Sequence, residues 1–351
     1  MVQPPPQDPA PDAEPPPGPG PDTDAERNEL PITFPAWHAF AERELVRPDL
    51  ALCPPAGTKL LPNHPRMRYH SRLTVVRTPA LVEARKRVTQ LVRVGSGRDG
   101  VHLGLVLDGR GGTGKTTILQ QVGRAHQRRL RRQYPQLDDT IPVVYIALPA
   151  QNDRNNAYNM FVAIAEFLQL PTTGSLTSLV ASIRTVMDRA RTELILVDEI
   201  HLLADAADRE HTSDHLKTLS ERLSATIVYA GIDAWNIMTS GTRGDQIARR
   251  NQRLQIRPFN YTTAEERALW HSAVASYDDA LCLFHHTPGE LTALADYLYD
   301  RTQGFIGALS YLVCIAAQEA ISDGTERITP DLLESIYIDG ASEQGHGGHA
   351  A

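Results

Sequence analysis

Five short apolar runs alternate with longer amphipathic segments through the middle of the chain. Each run predicts a buried strand, and the runs lie at 103–108, 142–148, 193–199, 225–230 and 253–258. Most segments between them carry apolar residues at helical spacing, which predicts helices at 115–133, 154–169, 175–191 and 212–223. Strands that alternate with helices form a parallel sheet covered on both faces, so the sequence predicts an α/β fold.

Beyond residue 262 the pattern is helical only. Apolar spacing predicts helices at 263–276, 288–301, 305–322 and 330–337, and Thr329 followed by Pro330 is a good helix start. A further amphipathic helix is expected at 79–94, before the first strand. The resulting division is an N-terminal extension at 29–98, a sheet-containing core at 99–261 and a small all-helical lid at 262–340.

Both ends of the chain have the composition of flexible segments. Ten of the first 22 residues are proline, and residues 1–28 offer almost nothing apolar to bury. We therefore expect a disordered or polyproline tail there. Residues 341–351 are rich in Gly and His and are expected to fray.

Composition limits the classes of protein that fit. A chain of 351 residues with 41% apolar and 22% charged residues is typical of a soluble protein with a sizeable core. Its three cysteines lack C-x-x-C spacing and indicate neither a disulfide framework nor a zinc site, which favours a reducing cytosol. No apolar run reaches the ~18 residues of a membrane span, and no signal peptide is visible. We expect a cytoplasmic protein without a membrane partner.

The charge is unevenly distributed. A net charge of −7 argues against a uniformly basic nucleic-acid binder, yet residues 66–98 hold nine basic residues against Glu83 alone. The helix at 115–133 adds five arginines between Arg124 and Arg132. Such local patches can hold phosphates on an acidic protein, and a solvated helix face is the alternative interpretation.

A glycine-rich loop follows the first strand and precedes a helix. Gly109, Gly114, Lys115 and Thr116 fill the pattern G-x-x-x-x-G-K-[ST], the Walker A phosphate loop. Glycines let the backbone turn its N–H groups toward one point, and the helix start adds further unpaired N–H groups. Lys115 can reach the β- and γ-phosphates, and the Thr116 hydroxyl can ligate Mg²⁺. The residues predicted to bind ATP are Gly109, Arg110, Gly111, Gly112, Thr113, Gly114, Lys115, Thr116 and Thr117.

The third strand ends in two acids, as a Walker B sequence does. Four apolar residues, Leu194 to Val197, precede Asp198 and Glu199. Asp198 is predicted to hold Mg²⁺ with Thr116, and Glu199 to polarise the attacking water as general base. The adjacent acids favour an NTP hydrolase over a small-molecule kinase.

Two further catalytic candidates follow the fourth strand. Asp233 comes after its end and is a weak candidate for contact with the γ-phosphate or water, because a carboxylate there needs a neutralising metal or arginine. An arginine just before the last strand could reach a neighbouring subunit's nucleotide as an arginine finger. The candidates are Arg249, Arg250, Arg253 and Arg257.

From about Arg68 to Ile338 the chain resembles an AAA+ ATPase of the TniB/TnsC transposition type. The pieces that carry the resemblance are Tyr69-His70-Ser71-Arg72-Leu73, Gly109–Thr116, Leu194–Glu199, Ile227–Ala234, Gln246–Arg250 and Thr302–Gly307. The Gln246–Arg250 piece is similar to the family's Q-L-A-S-R and implies that Arg250 is the finger. Gly307 lies where many AAA+ lids carry an arginine, so no sensor arginine is expected.

This resemblance implies a bacterial regulator of DNA transposition that binds and hydrolyses ATP with Mg²⁺. Such a protein assembles as a homo-oligomer on duplex DNA with ATP bound, largely without sequence preference, and helps to select the target site. The implied protein partners are a transposase and a TniQ-like adaptor. The alternative is another AAA+ or STAND-type NTPase that acts as a signalling switch or a DNA-loading factor. Intact Lys115, Asp198 and Glu199 argue against a binding module with an inactive nucleotide site.

Overall fold

The computed structural model describes residues 30–73, 75–97, 103–136, 139–148, 156–203, 216, 219, 221–240 and 244–339. The tails at 1–28 and 341–351 lie outside the described residues, and the helix expected at 212–223 lies largely outside them. Within the described ranges, no helix is long and apolar enough to cross a membrane.

One parallel sheet of five strands forms the centre of the molecule. The strands are β1 (Gly104–Gly109), β2 (Val143–Ala147), β3 (Leu194–Asp198), β4 (Thr226–Gly231) and β5 (Asn251–Ile256). They lie in the order β2-β3-β4-β1-β5, so the first strand of the chain is flanked by the two last. Their carboxyl ends meet at one edge, and the α/β prediction is confirmed.

Strand β5 begins two residues earlier than predicted. Asn251 already pairs with Gly104, whereas the prediction of 253–258 followed the apolar residues that come later. β5 is an edge strand, and most of its side chains are at least partly exposed. Its first residues can therefore be polar, and apolar periodicity does not mark where such a strand starts.

Helices pack around the sheet and then form a second unit. They are α1 (Phe34–Glu42), α2 (Pro65–Ser71), α3 (Pro79–Gly95), α4 (Lys115–Gln133), α5 (Asn156–Phe167), α6 (Leu176–Arg189), α7 (Ala234–Thr239), α8 (Gly244–Arg250), α9 (Ala264–Ala280), α10 (Ala295–Thr302), α11 (Ile306–Ser322) and α12 (Pro330–Ser335). Short 3₁₀ turns lie at Leu50–Leu52, Ile200–Leu203 and Thr292–Leu294. Helices α3 and α12 each begin with a threonine N-cap and a proline in the first turn.

Helices α9 to α12 enclose a separate apolar core, which we call the lid. Trp270 and Leu309 are fully buried within it. Helix α2 belongs to this core as well, although some 200 residues of chain separate it from α9. The lid is therefore completed by a helix from the N-terminal part of the chain.

Helix α1 belongs to the other core. Trp37 is fully buried beneath the sheet, where its ring stacks on Tyr145 with centroids 5.5 Å apart, and its Nε1 donates to Gln127 Oε1. A side chain on Gly123 would come within 2.9 Å of the same ring, so the glycine on α4 makes room for the tryptophan. Residues 29–98 are thus divided between two cores rather than packed as one unit.

Two of the five arginines of α4 bind main-chain carbonyls at the end of α1. Arg124 donates to the carbonyls of Ala41 and Arg43, and Arg128 to those of Ala41, Glu42 and Arg43. These side chains satisfy the last carbonyl groups of α1, a use that apolar patterning does not reveal. Arg66, counted in the other basic cluster, is 1% exposed.

Candidate nucleotide-binding site

The loop from Arg110 to Gly114 connects β1 to α4 at the carboxyl edge of the sheet. Gly112 and Gly114 have φ angles of 72° and 85°, a region that glycine adopts without strain. Gly114 is the N-cap of α4 and contributes no side chain to the cap, so the first N–H groups of the helix have no side-chain cap. This is the backbone arrangement that binds phosphate groups at a helix N-terminus.

Lys115 directly follows this loop as the first residue of α4. Its Nζ donates to the carbonyl of Arg110 at 2.7 Å, and the side chain is largely buried. Burial lowers the pKa of Lys115, while the charges of Glu199, Asp198 and Asp108 oppose that shift. The structure therefore brings the predicted lysine and the two predicted acids together around one point.

Asp198, at the end of β3, is 3% exposed, and each of its carboxylate oxygens accepts one hydrogen bond. The hydroxyl of Tyr145 donates to Oδ2 at 3.0 Å, and the backbone N–H of Glu199 donates to Oδ1 at 2.9 Å. Carboxylate oxygens offer about four lone-pair sites, so further acceptor sites remain. The carboxylate is held in one orientation from two directions.

Glu199 points away from the strand because its backbone turns sharply. Its φ angle is 58°, which is uncommon for a residue other than glycine, and its side chain is 44% exposed. Oε2 lies 3.1 Å from Nδ1 of His201, without the geometry of a hydrogen bond. The exposed carboxylate beside the buried Asp198 is the arrangement expected for a residue that contacts water.

The lid touches the phosphate loop directly. The N–H of Gly307, in the first turn of α11, donates to the carbonyl of Gly112 at 3.0 Å. A Cβ at position 307 would come within 2.8 Å of that carbonyl oxygen, which explains why glycine stands here instead of a larger residue. The guanidinium of Arg110 lies 5.4 Å from the ring centroid of Phe305. Position 307 thus contacts the loop through its backbone.

A cavity of about 420 Å³ opens beside the loop. Three parts of the chain line it: the segment after α2, the start of α4 and the lid. Its walls include Leu73, Val76, Thr117, Ile118, Tyr277 and Ile306. The volume and the mostly apolar walls are typical of a small-molecule site.

The other two predicted catalytic residues, Asp233 and Arg250, each contact a nearby side chain. Asp233 is exposed, has a φ angle of 51° and accepts a hydrogen bond from Asn236 on its own helix. Arg250 ends α8, and its Nη1 lies 3.2 Å from Glu221 Oε1. Because β5 runs from Asn251 to Ile256, beside Gly109, about 20 Å of extended chain separates Arg250 from its own phosphate loop.

Sequence reasoning missed Tyr145 and His201 as residues of this site. Tyr145 was assigned only to a buried strand, although a tyrosine in such a run needs a hydrogen-bond partner, which was the available signal. His201 follows the Walker B strand by three residues, and its approach to Glu199 depends on the left-handed turn at Glu199. No local sequence pattern predicts that turn.

The profile of the family described as bacterial TniB protein matches residues 66–261, which include the phosphate loop and both acids. Among solved structures, the Aeropyrum pernix ORC1 protein in complex with DNA is similar, with 20% identity and a TM-score of 0.53 over 76% of this chain and 66% of that one. The Aeropyrum pernix ORC2 protein (ADPNP-ADP complexes) has 14% identity and a TM-score of 0.56, with 80% and 71% covered.

Cdc6p from Pyrobaculum aerophilum has 16% identity and a TM-score of 0.50, with 74% and 67% of the two chains covered. The chain thus spans just under two thirds of the ORC1 protein and slightly more of the other two. At these identities the likeness establishes the fold, which is that of AAA+ ATPases. No curated protein sequence matches significantly.

Proposed function

Because the chain belongs to the TniB family and has the AAA+ fold, we propose that it is an ATP-dependent regulator of DNA transposition. The family match over residues 66–261 carries this proposal. In this role the protein binds and hydrolyses ATP in the bacterial cytoplasm, assembles on duplex DNA, helps to select the target site and recruits or activates a transposase. A TniQ-like adaptor is the second proposed protein partner.

In the proposed site the loop Gly109–Thr117 binds the phosphates and Lys115 supplies a buried positive charge. The first turn of α4 has no side-chain cap, so its backbone N–H groups would be available to the triphosphate as fixed donors in place of water. The cavity of about 420 Å³ is adjacent and takes the base and ribose. Nucleotide binding would then bring the lid and the core to the same ligand.

Thr116 and Asp198 are the residues that would hold Mg²⁺. Both offer oxygen ligands, which Mg²⁺ prefers, and Asp198 keeps unused lone pairs after its two hydrogen bonds. When bound, Mg²⁺ would neutralise negative charge on the phosphates. Tyr145 and the N–H of Glu199 orient the Asp198 carboxylate.

Glu199 is the proposed general base. Its carboxylate is accessible to water, and the turn at its backbone directs it away from the buried strand. The base takes a proton from the water as the water attacks the γ-phosphate. His201 lies 3.1 Å from the carboxylate. The position of Asp233 gives it a contact with Asn236, and its proposed role near the γ-phosphate remains the weakest of the set.

Arg250 is the proposed arginine finger, and it would act on a neighbouring subunit. It directly precedes the amino end of β5, whereas its own phosphate loop follows the carboxyl end of β1. This separation from its own site is expected of a residue that acts on a neighbouring subunit. Its contact with Glu221 would be exchanged for the neighbour's nucleotide on assembly. The proposal therefore requires a homo-oligomer in the presence of ATP.

ATP affinity and ATP turnover of three variants test the enzymatic part. Lys115→Ala should lose ATP binding, because the phosphates lose their buried cation. Glu199→Gln should bind ATP but hydrolyse it at least about 10² times more slowly, because the nucleotide is still positioned while the general base is lost. Arg250→Ala should also keep binding, and turnover should fall on the order of 10³-fold. Arg189→Ala, at the far end of α6, is the control. Normal turnover in Glu199→Gln would exclude it as the base.

Assembly and DNA binding distinguish the transposition role from the alternatives. In the proposed function, turnover rises faster than linearly with protein concentration, and the ATP-bound protein binds duplex DNA with an affinity that falls steeply with salt. ATP-dependent stimulation of a transposase by this protein would support the role directly. A fully active monomer, or ATP-bound protein that does not bind DNA, would favour a signalling switch.

A further inference from the structure

Asp108 is an unusual residue for the wall of an anion site. It lies in β1 directly before Gly109, the last residue of that strand, it is 3% exposed, and it follows three fully buried apolar residues. Its charge opposes, with those of Glu199 and Asp198, the lowering of the Lys115 pKa that burial causes. A buried carboxylate here repels phosphate groups, and it is costly to bury without a partner.

Arg253 is that partner. Its Nε and Nη2 donate to Asp108 Oδ2 at 3.0 and 2.6 Å, so two donors bind one oxygen. Arg253 lies on β5, beside β1, where it pairs with Val106 in register, two residues before Asp108 on the same face. The Asp108 side chain is 5% exposed and that of Arg253 38% exposed, so the arginine reaches inward from the surface.

The surroundings of Arg253 connect the phosphate loop to the region of the proposed finger. Its Cζ lies 5.8 Å from the ring centroid of Trp235 on α7, and its carbonyl accepts from Arg87 on α3. Only two residues separate it from Arg250. The pair with Asp108 within the same chain also shows what this arginine, one of the four finger candidates, does in the monomer.

We propose that Arg253 is a positioning residue of the nucleotide site, because it neutralises Asp108 and so makes the start of the phosphate loop suitable for a triphosphate. It does not touch the nucleotide; it acts through Asp108. The inference rests on the proposed nucleotide function, and it adds a residue that neither the Walker motifs nor the resemblance to the family includes.

The test compares the affinities for MgATP and MgADP of Arg253→Ala, Arg253→Lys, Asp108→Asn and the double variant Asp108→Asn/Arg253→Ala. With Asp108 unpaired, Arg253→Ala should bind MgATP on the order of tenfold or more weakly. The loss should be smaller for MgADP, which carries less charge. Arg253→Lys should recover part of the affinity, and the double variant should recover most of it.

Thermal stability is measured on the same samples, because a purely structural ion pair would lower the melting temperature without changing the ratio of MgATP to MgADP affinity. Arg131→Ala is the matched control: it loses an arginine–carboxylate contact with Glu42 at the other end of α4, about 24 Å from Lys115. If Arg253→Ala does not fold, the double variant and Arg253→Lys still report the charge effect.

Unchanged MgATP affinity in Arg253→Ala, or no recovery in the double variant, would overturn the inference while the nucleotide function stands. If the unmodified protein bound neither MgATP nor MgADP, the proposed function itself would be wrong. The positioning role is supported if Arg253→Ala lowers the ratio of MgATP to MgADP affinity and the double variant returns that ratio toward the unmodified protein's value.

Discussion

In the core, the charged residues lie at one edge of an apolar sheet, whereas in the lid a charged cluster lies inside the packing of the helices. Lys115 and Asp198 come from loops and strand ends that the chain forms locally around β1 and β3. Arg66 and Glu326 of the lid are each 1% exposed and are separated by 260 residues. The charges of the first region are proposed to bind a ligand, whereas those of the second stabilise the fold.

Hydrogen bonds connect the members of the lid cluster, which are Arg66, His70, Cys282 and Glu326. Both terminal nitrogens of Arg66 donate to the two Glu326 oxygens, at 3.0 and 2.5 Å, and Nη2 also donates to the carbonyl of Cys282. One turn later, His70 Nδ1 donates to the carbonyl of Arg66, and Nε2 accepts from the N–H of Cys282. Helix α2 is thereby fixed to the lid through the turn after α9.

This difference has a consequence for how the nucleotide site works. The segment between α2 and α3 lines the cavity beside the phosphate loop, as Leu73 and Val76 do. Because α2 is bound within the lid and α3 within the core, the segment crosses between the two units. The stability of the lid cluster therefore determines one wall of the proposed base pocket.

The largest expected effect is on the Arg66–Glu326 pair. Arg66→Met should lower the free energy of unfolding of the lid by about 3–5 kcal/mol, because Glu326 is left as an unpaired buried charge. Arg66→Met/Glu326→Leu should recover much of this loss, because apolar side chains of similar size replace both charges. Urea unfolding followed by lid tryptophan fluorescence measures the difference.

The matched control is the surface pair Arg327–Glu290, whose nitrogen and oxygen are 2.6 Å apart with side chains 55% and 24% exposed. Arg327→Ala should cost no more than about 1 kcal/mol. Equal losses for Arg66→Met and Arg327→Ala would mean that burial does not distinguish the lid cluster, and the comparison with the core would fail.

The same contrast explains what could be predicted from the sequence. The strands, the phosphate loop and the two acids were predictable, because apolar runs and the G-x-x-x-x-G-K-[ST] spacing are local. The place of α2 in the lid was not, because it depends on Arg66 meeting Glu326 across 260 residues. The use of Arg124 and Arg128 to cap α1 was missed for the same reason.

The next effect concerns pH and the same lid cluster. Burial, together with the charges of Arg66 and Arg47, lowers the pKa of His70 to about 4, although the hydrogen bond to the Arg66 carbonyl and the charge of Glu326 oppose this shift. The unfolded chain, with a histidine pKa near 6.5, therefore binds more protons between about pH 4 and 6.5. Stability from neutral His70 is complete above that window and is lost as the pH falls through it.

Between pH 7 and pH 4 the protein should lose about 3 kcal/mol of stability through His70. His70→Gln cannot be protonated and can still donate to the Arg66 carbonyl and accept from Cys282, so its free energy of unfolding should fall less over the same range. Denaturant titrations at intervals of half a pH unit provide the two curves. Parallel curves would show that His70 does not titrate as its burial requires.

The smallest effect tests whether the core, too, depends on the N-terminal part of the chain. The hydroxyl of Tyr145 orients Asp198, and the ring of Tyr145 stacks on Trp37 of α1 at an interplanar angle of 14°. Tyr145→Phe removes the hydrogen bond and leaves the stack. The cost should be about 1 kcal/mol at Asp198, so half-maximal turnover should need roughly five times more Mg²⁺.

Tyr158→Phe is the control for Tyr145→Phe, because its hydroxyl donates to the carbonyl of Thr172 between α5 and α6, away from the site. It should leave the Mg²⁺ requirement unchanged. Trp37→Leu completes the comparison and should lower stability and raise the Mg²⁺ requirement. If α1 acts on the site only through the Tyr145 hydroxyl, the double variant Trp37→Leu/Tyr145→Phe should need no more Mg²⁺ than Trp37→Leu. If the two substitutions instead change the Mg²⁺ requirement independently, Trp37 supports the core fold without orienting Asp198. The arrangement of the site would then depend on local structure alone.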